Sequence, residues 1–163
     1  MKKRFGWRTE WFLLLLLLVS CTSEKSPQRD LVNDSFLEAQ AELREVLQSI
    51  VKDAEMANIK GLQSAHLVSD KFTKFGPRSF DRQDIGSTNE SEAEFFGSIS
   101  EYHLEVKDLK TDIFGEIGIV TYYPHVSFLQ DGEEKRGSGR QTLVFLKTEQ
   151  GWKIVHEHGT PRF

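Results

Sequence analysis

From Tyr102 onward the chain reads as one strand after another, and this constrains its fold more than any other feature. Tyr102, Leu104 and Val106 alternate with His103, Glu105 and Lys107, the period of two that a pleated sheet imposes. The phase then slips, because the next apolar residues are Leu109 and Ile113. A one-residue slip in a regular strand predicts a β-bulge near Lys107 and Asp108, and bulges bend sheets. Gly115 and Glu116 turn the chain into a second long strand over residues 117–129, apolar on both faces and therefore buried. Pro124 inside it predicts an edge position or a further bulge. Asp131-Gly132 is a hairpin signal. The next strand, residues 138–147, sets Arg140, Thr142, Val144 and Leu146 on one face and Gln141, Leu143 and Phe145 on the other. A polar turn ending at Gly151 leads into the last strand.

The first half is helical. Ser35 and Glu38 have the spacing of a capping box. Phe36, Ala39, Leu43, Val46, Leu47, Ile50, Val51 and Ala54 then form one apolar stripe. A shorter helix over residues 59–66 uses Ile59, Leu62 and His66 as its inner face. Residues 72–75 form a short strand stopped by Gly76-Pro77. Residues 78–88 are polar and without period, and read as a mobile loop over a cavity mouth. A third helix starts at Asn89 or Ser91, each with a Glu three residues on, and buries Ala93, Phe96 and Ile99. The fold class is α+β: three N-terminal helices packed in a strongly curved antiparallel sheet.

The first twenty residues belong to another category. Lys2, Lys3, Arg4 and Arg8 precede an apolar run at residues 11–19, shorter than the roughly 20 residues of a spanning helix and proportioned like a signal-peptide core. Leu18-Val19-Ser20-Cys21 resembles the lipobox of bacterial lipoproteins. The resemblance implies a signal peptide over 1–20, acylation of Cys21 and a membrane anchor through its lipid. Cys21 is the only cysteine, so neither an internal disulfide nor a cysteine metal cluster is available. Residues 22–34 read as a polar tether, and the domain spans 35–163. Thr22, where inner-membrane lipoproteins tend to carry Asp, favours the outer membrane of a two-membrane envelope. Without Lys2, Lys3, Arg4, Arg8 and Glu10 the mature chain keeps 17 basic and 24 acidic residues, a net charge of −7. That balance argues against a nucleic-acid partner.

The last strand carries the candidate site. Trp152, Ile154, His156 and His158 are spaced by two, so an unbroken strand puts them on one face, with Lys153, Val155 and Glu157 on the other. Two imidazoles on an apolar face suit a cavity that binds an anionic or carbonyl ligand or moves a proton. The alternative is a structural pair bonded to its surroundings. A metal reading adds His125 or His103 as third ligand to the pair. Trp152 reads as a core anchor flooring the cavity. Tyr123 and His125 share one face of their strand and Tyr122 takes the other, and either set reaches the cavity. Arg140 either pairs with a sheet carboxylate, the favoured role, or serves as a cation for an acidic ligand. No carboxylate stands clearly inside: Glu157 alternates away from the histidines, and Asp108 and Asp112 lie where the register is uncertain. This weighs against a carboxylate general base. A pocket with a carboxylate within hydrogen-bond reach of an imidazole would weigh the other way.

The segment Arg140-Gln141-Thr142-Leu143-Val144-Phe145, a turn with Gly151, and Trp152-Lys153-Ile154-Val155-His156-Glu157-His158 resembles the C-terminal signature of SnoaL-like domains. These belong to the nuclear transport factor 2-like superfamily. The association domain of calcium/calmodulin-dependent protein kinase II has a similar ending. Where relatives often carry a Ser after the second His, this chain has Thr160. The resemblance implies a cone with a cavity between sheet and helices, and homodimerisation through the sheet. It is compatible with a small-molecule or partner binder, with an isomerase, dehydratase or cyclase using His-assisted proton transfer, and with a pure assembly module. A non-catalytic envelope lipoprotein that binds a small molecule or partner is the expectation, with no cofactor and no metal.

Overall fold

In a computed structural model, residues 30–161 are described. The expected signal peptide, Cys21 and the expected tether up to residue 29 lie outside them. The elements are α1 (Leu37–Glu55), α2 (Ile59–Ala65), β1 (Thr73–Phe75), α3 (Ile85–Gly97), β2 (Ser100–Phe114), β3 (Ile117–Gln130), β4 (Glu133–Thr148) and β5 (Gly151–Pro161). The five strands form one curved, unclosed sheet in the order β1-β5-β4-β3-β2. Every pairing is antiparallel except β1 with β5, which is parallel.

Three helices and long bent strands are as expected, and the starts of two helices are not. Phe36 precedes α1 in the left-handed conformation, at φ 47°, with no side-chain cap. The capping box of Ser35 and Glu38 does not form. Phe36 is instead buried at 4 % exposure among Leu43, Leu47 and Trp152, and burial of an aromatic ring outweighs a cap of about 1 kcal/mol. Asp34 holds the approach by accepting the Phe36 N–H at 2.9 Å. The last residues assigned to the tether are ordered: Asp30 Oδ1 accepts from the N–H groups of Val32 and Asn33, each at 3.0 Å. The third helix begins four residues before Asn89. Asp84 accepts from Ser87 N at 2.8 Å and Ser87 Oγ accepts from Asp84 N at 3.0 Å, a capping box closed by serine. Part of the expected loop over 78–88 is thus the first turn of α3.

The sheet bends where the sequence slips. β2 shifts register between Lys107 and Lys110, with Asp108 at φ 50°, and again between Ser100 and His103. Asp131 and Gly132, at φ 53° and 80°, make the β3–β4 hairpin turn. Pro124 is neither at an edge nor at a shift in the β3–β4 ladder. The ladder stops at Tyr122↔Gln141 and resumes in register at His125↔Ser138, so the missing proline N–H leaves a local gap. The core lies between α1 and the sheet, where Leu43, Leu47, Phe72, Phe145, Trp152 and Ile154 pack together. Gly118 allows this approach: a Cβ there would stand 2.4 Å from Leu43 Cδ2.

One irregularity positions the site. In the β4–β5 ladder Phe145 pairs with Ile154, yet Val144 pairs with His156, so Val155 is an extra residue. The bulge reverses the phase of everything after it. Trp152 and Ile154 are buried, then Glu157 and Gly159 are buried in their turn, while His158 is exposed. His156 and His158 therefore do not share the face of Trp152 and Ile154.

Candidate functional site

A cavity of about 730 Å³ opens between the sheet and the helices α2 and α3. One wall is aromatic. Phe95 and Phe96 of α3, Tyr102 of β2 and Phe128 of β3 contact one another with ring centroids 5.2 to 6.3 Å apart. Leu104, Tyr122, Val126, Leu143 and Ile154 continue the apolar lining.

The inner charged part of the lining is a quartet gathered from four segments, His66 and Glu157 buried and Lys74 and Glu92 half-buried. His66 follows α2, Lys74 lies in β1, Glu92 in α3 and Glu157 in β5. Glu157 Oε1 accepts from His66 Nε2 at 2.7 Å and Glu157 Oε2 from Lys74 Nζ at 2.9 Å. Lys74 also donates to Glu92 Oε1 at 2.5 Å, and His66 Nε2 stands 3.8 Å from that oxygen. Because a carboxylate only accepts, the Glu157 bond places a proton on His66 Nε2. His66 Nδ1 and Glu92 Oε2 have no partner and are sealed from solvent.

Burial alone would push the Glu157 carboxyl up, but the Lys74 charge and the His66 bond outweigh it and hold the group at about 2. For Lys74, burial pulls the ammonium down and the two carboxylates more than restore it, so it stays above the usual lysine range. Burial is the main cause at both cavity tyrosines: Tyr102 rises to about 12 and Tyr122 rises further. Both phenols keep their protons at neutral pH and can donate a hydrogen bond to a ligand.

The Glu157 shift sets a pH test. A carboxylate held below its ordinary 4.5 stabilises the fold above that pH and loses this contribution as pH falls towards 2. The amount at neutral pH is on the order of 3 kcal/mol. Urea unfolding from pH 6 to 2 is expected to show wild-type stability falling more steeply than that of Glu157→Gln. Parallel curves would mean that Glu157 is not clasped as described.

His66, Glu92 and Glu157 bring one ligand atom each to within 4.8 Å of one another, a spacing that suits a metal ion. The Lys74 ammonium already lies between the two carboxylates, where a bound cation would sit. The metal reading of the sequence uses other residues, and they do not converge. His156 and His158 lie on β5, His125 on β3 and His103 on β2, with β4 between. His103 is instead paired with Glu55 at 2.6 Å.

Of the five candidate site residues His156, His158, Trp152, Tyr123 and Arg140, Arg140 alone lines the large cavity, exposed and without an ion pair to any described residue. The expected sheet carboxylate does not meet it. His156 Nδ1 shares a hydrogen bond of 2.8 Å with Thr73 Oγ1, and Phe75 lies edge-on to both His156 and His158. Trp152 is a core residue that donates from Nε1 to Glu42 Oε2 at 3.3 Å and lines a smaller recess of about 420 Å³ beside α1. Tyr123 is turned outward at 46 % exposure, and Tyr122 takes the inner face. The residues missed were Lys74, Glu92 and Glu157. His66 stood on the inner helix face in the sequence, and its partner Glu157 was hidden by the bulge at Val155.

The SnoaL-like domain profile matches residues 43–161. The chain belongs to the SnoaL-like domain family. No curated protein matches this SnoaL-like chain in sequence. Solved structures of the same fold include a candidate dehydratase of the NTF2-like family from Streptomyces avermitilis. It is 16 % identical, with a TM-score of 0.71 over 77 % of this chain and 97 % of that one. A nuclear transport factor 2-like superfamily protein from Salmonella enterica serovar Typhimurium is 18 % identical, with a TM-score of 0.71 over 78 % and 93 %. A candidate calcium/calmodulin dependent protein kinase II association domain from Xanthomonas campestris is 10 % identical, with a TM-score of 0.65 over 74 % and 86 %. At these identities the likeness concerns the fold alone.

Proposed function

We propose that this SnoaL-like domain binds a small, largely apolar molecule in its large cavity and does not catalyse its conversion. One observation carries the reading: the acid–base atoms of the quartet are either spent on one another or sealed off. Both oxygens of Glu157 are bonded, His66 Nε2 is bonded, and His66 Nδ1 and Glu92 Oε2 are sealed from the cavity. A general base needs an open atom within hydrogen-bond reach of the proton it takes, and a pKa near the working pH. Glu157 meets neither condition. The cavity itself has the volume and the apolar, aromatic lining typical of ligand sites.

The second reading, proton transfer of the isomerase or dehydratase kind, is favoured by the 2.7 Å pairing of His66 with Glu157 at the cavity. It requires the sealed Nδ1 to open towards ligand. The exposed Tyr123 face supports a homodimer formed through the sheet. The apolar run ending in Leu18-Val19-Ser20-Cys21 supports a lipid anchor on Cys21 and an envelope location at the outer membrane. Loss of metabolic labelling by a palmitate analogue in Cys21→Ser tests the anchor, and labelling that persists would contradict it.

Native mass spectrometry of the full chain in detergent tests the binding reading. A co-purified organic molecule, or uptake of added 2-naphthamide, is expected in the wild type. Val126→Trp, which fills the cavity, is expected to abolish it, and the double variant His156→Ala/His158→Ala to retain it. Binding that survives Val126→Trp, in a variant that melts like the wild type, would contradict the reading.

A further inference from the structure

The geometry points to a ligand class for this cavity: a planar organic anion whose carboxylate or sulfonate head pairs with Arg78 while its flat body lies on the aromatic wall. The inference rests on the binding function proposed above and adds the chemistry of what is bound.

The charges of the lining are sorted by depth. Lys74 is committed to Glu92 and Glu157, so the buried cation has no charge left to offer a ligand. Beyond the quartet the cavity meets Arg78, Arg140 and Glu94. That outer zone carries an excess of positive charge in a chain whose net charge is −4. A positive rim on an acidic protein is a local feature, and it selects for anions.

Arg78 is held ready for such a head group. Its guanidinium carbon stands 3.8 Å from the centroid of the Phe95 ring, and Nη2 makes one long bond, 3.4 Å, to the carbonyl of Ser91. It forms no ion pair with any described residue. Stacking fixes the plane of the guanidinium and leaves the N–H groups on its edge, the arrangement that receives a carboxylate through two parallel bonds. Phe95 belongs to the aromatic wall, so the head-group site and the wall are contiguous. Tyr102, stacked on Phe128 at 6.3 Å, keeps its proton and presents a donor where a phenolate would repel an anion. A cationic ligand fits less well. The Phe95 ring face that would attract it already holds Arg78, and the Lys74 ammonium occupies the place between the two carboxylates.

Two probes of equal shape separate charge from hydrophobic fit: 2-naphthoate and its uncharged counterpart 2-naphthamide. In calorimetric titrations of the full chain in detergent, with detergent-only blanks, 2-naphthoate is expected to bind about tenfold or more tightly than the amide. Arg78→Met is expected to remove that preference without changing amide affinity, and Arg78→Lys to restore part of it. Raising the salt concentration should weaken the anion alone. Equal affinities for the two probes, or a preference that survives Arg78→Met, would overturn anion recognition and leave the cavity-binding reading intact. Absence of binding by both probes would overturn both.

Discussion

Glu157→Ala is expected to cost about 3–5 kcal/mol, among the largest effects of any single substitution in the domain. The carboxylate is buried at 7 % exposure, and its two oxygens answer His66 and Lys74, which reach it from α2 and β1. Removing it leaves the Lys74 ammonium with Glu92 alone and the His66 Nε2–H 3.8 Å from the Glu92 carboxylate. Breaking such a network on one side is costly because the His66 N–H loses its acceptor and Lys74 keeps only one of its two carboxylates. Glu157→Gln keeps the shape and one acceptor, and is expected to fall between the alanine variant and the wild type. Chemical denaturation of the three proteins reads this order directly. A loss for Glu157→Ala below about 1 kcal/mol, the range of exposed pairs, would mean that the quartet is hydrated and loosely held.

Phe72→Ala is expected to cost a similar amount, about 3–5 kcal/mol, for a different reason. Phe72 is 1 % exposed and belongs to the central core with Leu43, Phe145 and Ile154. Its ring also meets the His66 imidazole at 5.0 Å, edge to face. Truncation thus opens a cavity in the core and removes the wall that keeps His66 directed at Glu157. The two substitutions should therefore not add. In a double variant the combined loss is expected to fall short of the sum by about 0.5 kcal/mol or more, the mark of shared partners. Strict additivity would indicate that the core and the quartet are independent.

Much of the fold was legible because period and punctuation are local. The alternation after Tyr102, the slip at Lys107, the Asp131-Gly132 turn and the apolar stripe on α1 each needed only neighbours in the chain. The helix starts were less legible. At Phe36 the gain from burying a ring overrides the available cap, and burial is decided by distant residues such as Trp152. At Asp84 the box is closed by a serine hydroxyl where Glu or Gln is the usual signal.

The candidate site was legible only in part, and the reason lies in two adjacent β-branched residues. Ile154 and Val155 are both apolar, so the side chains alone do not say which of them keeps the inward phase. The ladder resolves it by leaving Val155 as the bulge, which turns Glu157 inward and His156 and His158 away. A one-residue slip exchanges the two faces of a strand, so this single irregularity inverted the assignment of three residues. His66 was readable as an inner-face residue, but its partner lies 91 positions away in sequence. Pairing over that distance leaves no periodic signal.

In the function proposed, the aromatic-walled cavity, and not the histidine face of β5, receives the ligand. NMR titration of the full chain in detergent with 2-naphthoate tests it most directly, read at side-chain resonances. The expected result is saturable shifts at Phe95, Phe96, Tyr102 and Tyr122, with the His156 and His158 imidazole signals unmoved. Saturable shifts at His156 and His158 with the cavity aromatics unmoved would contradict the account.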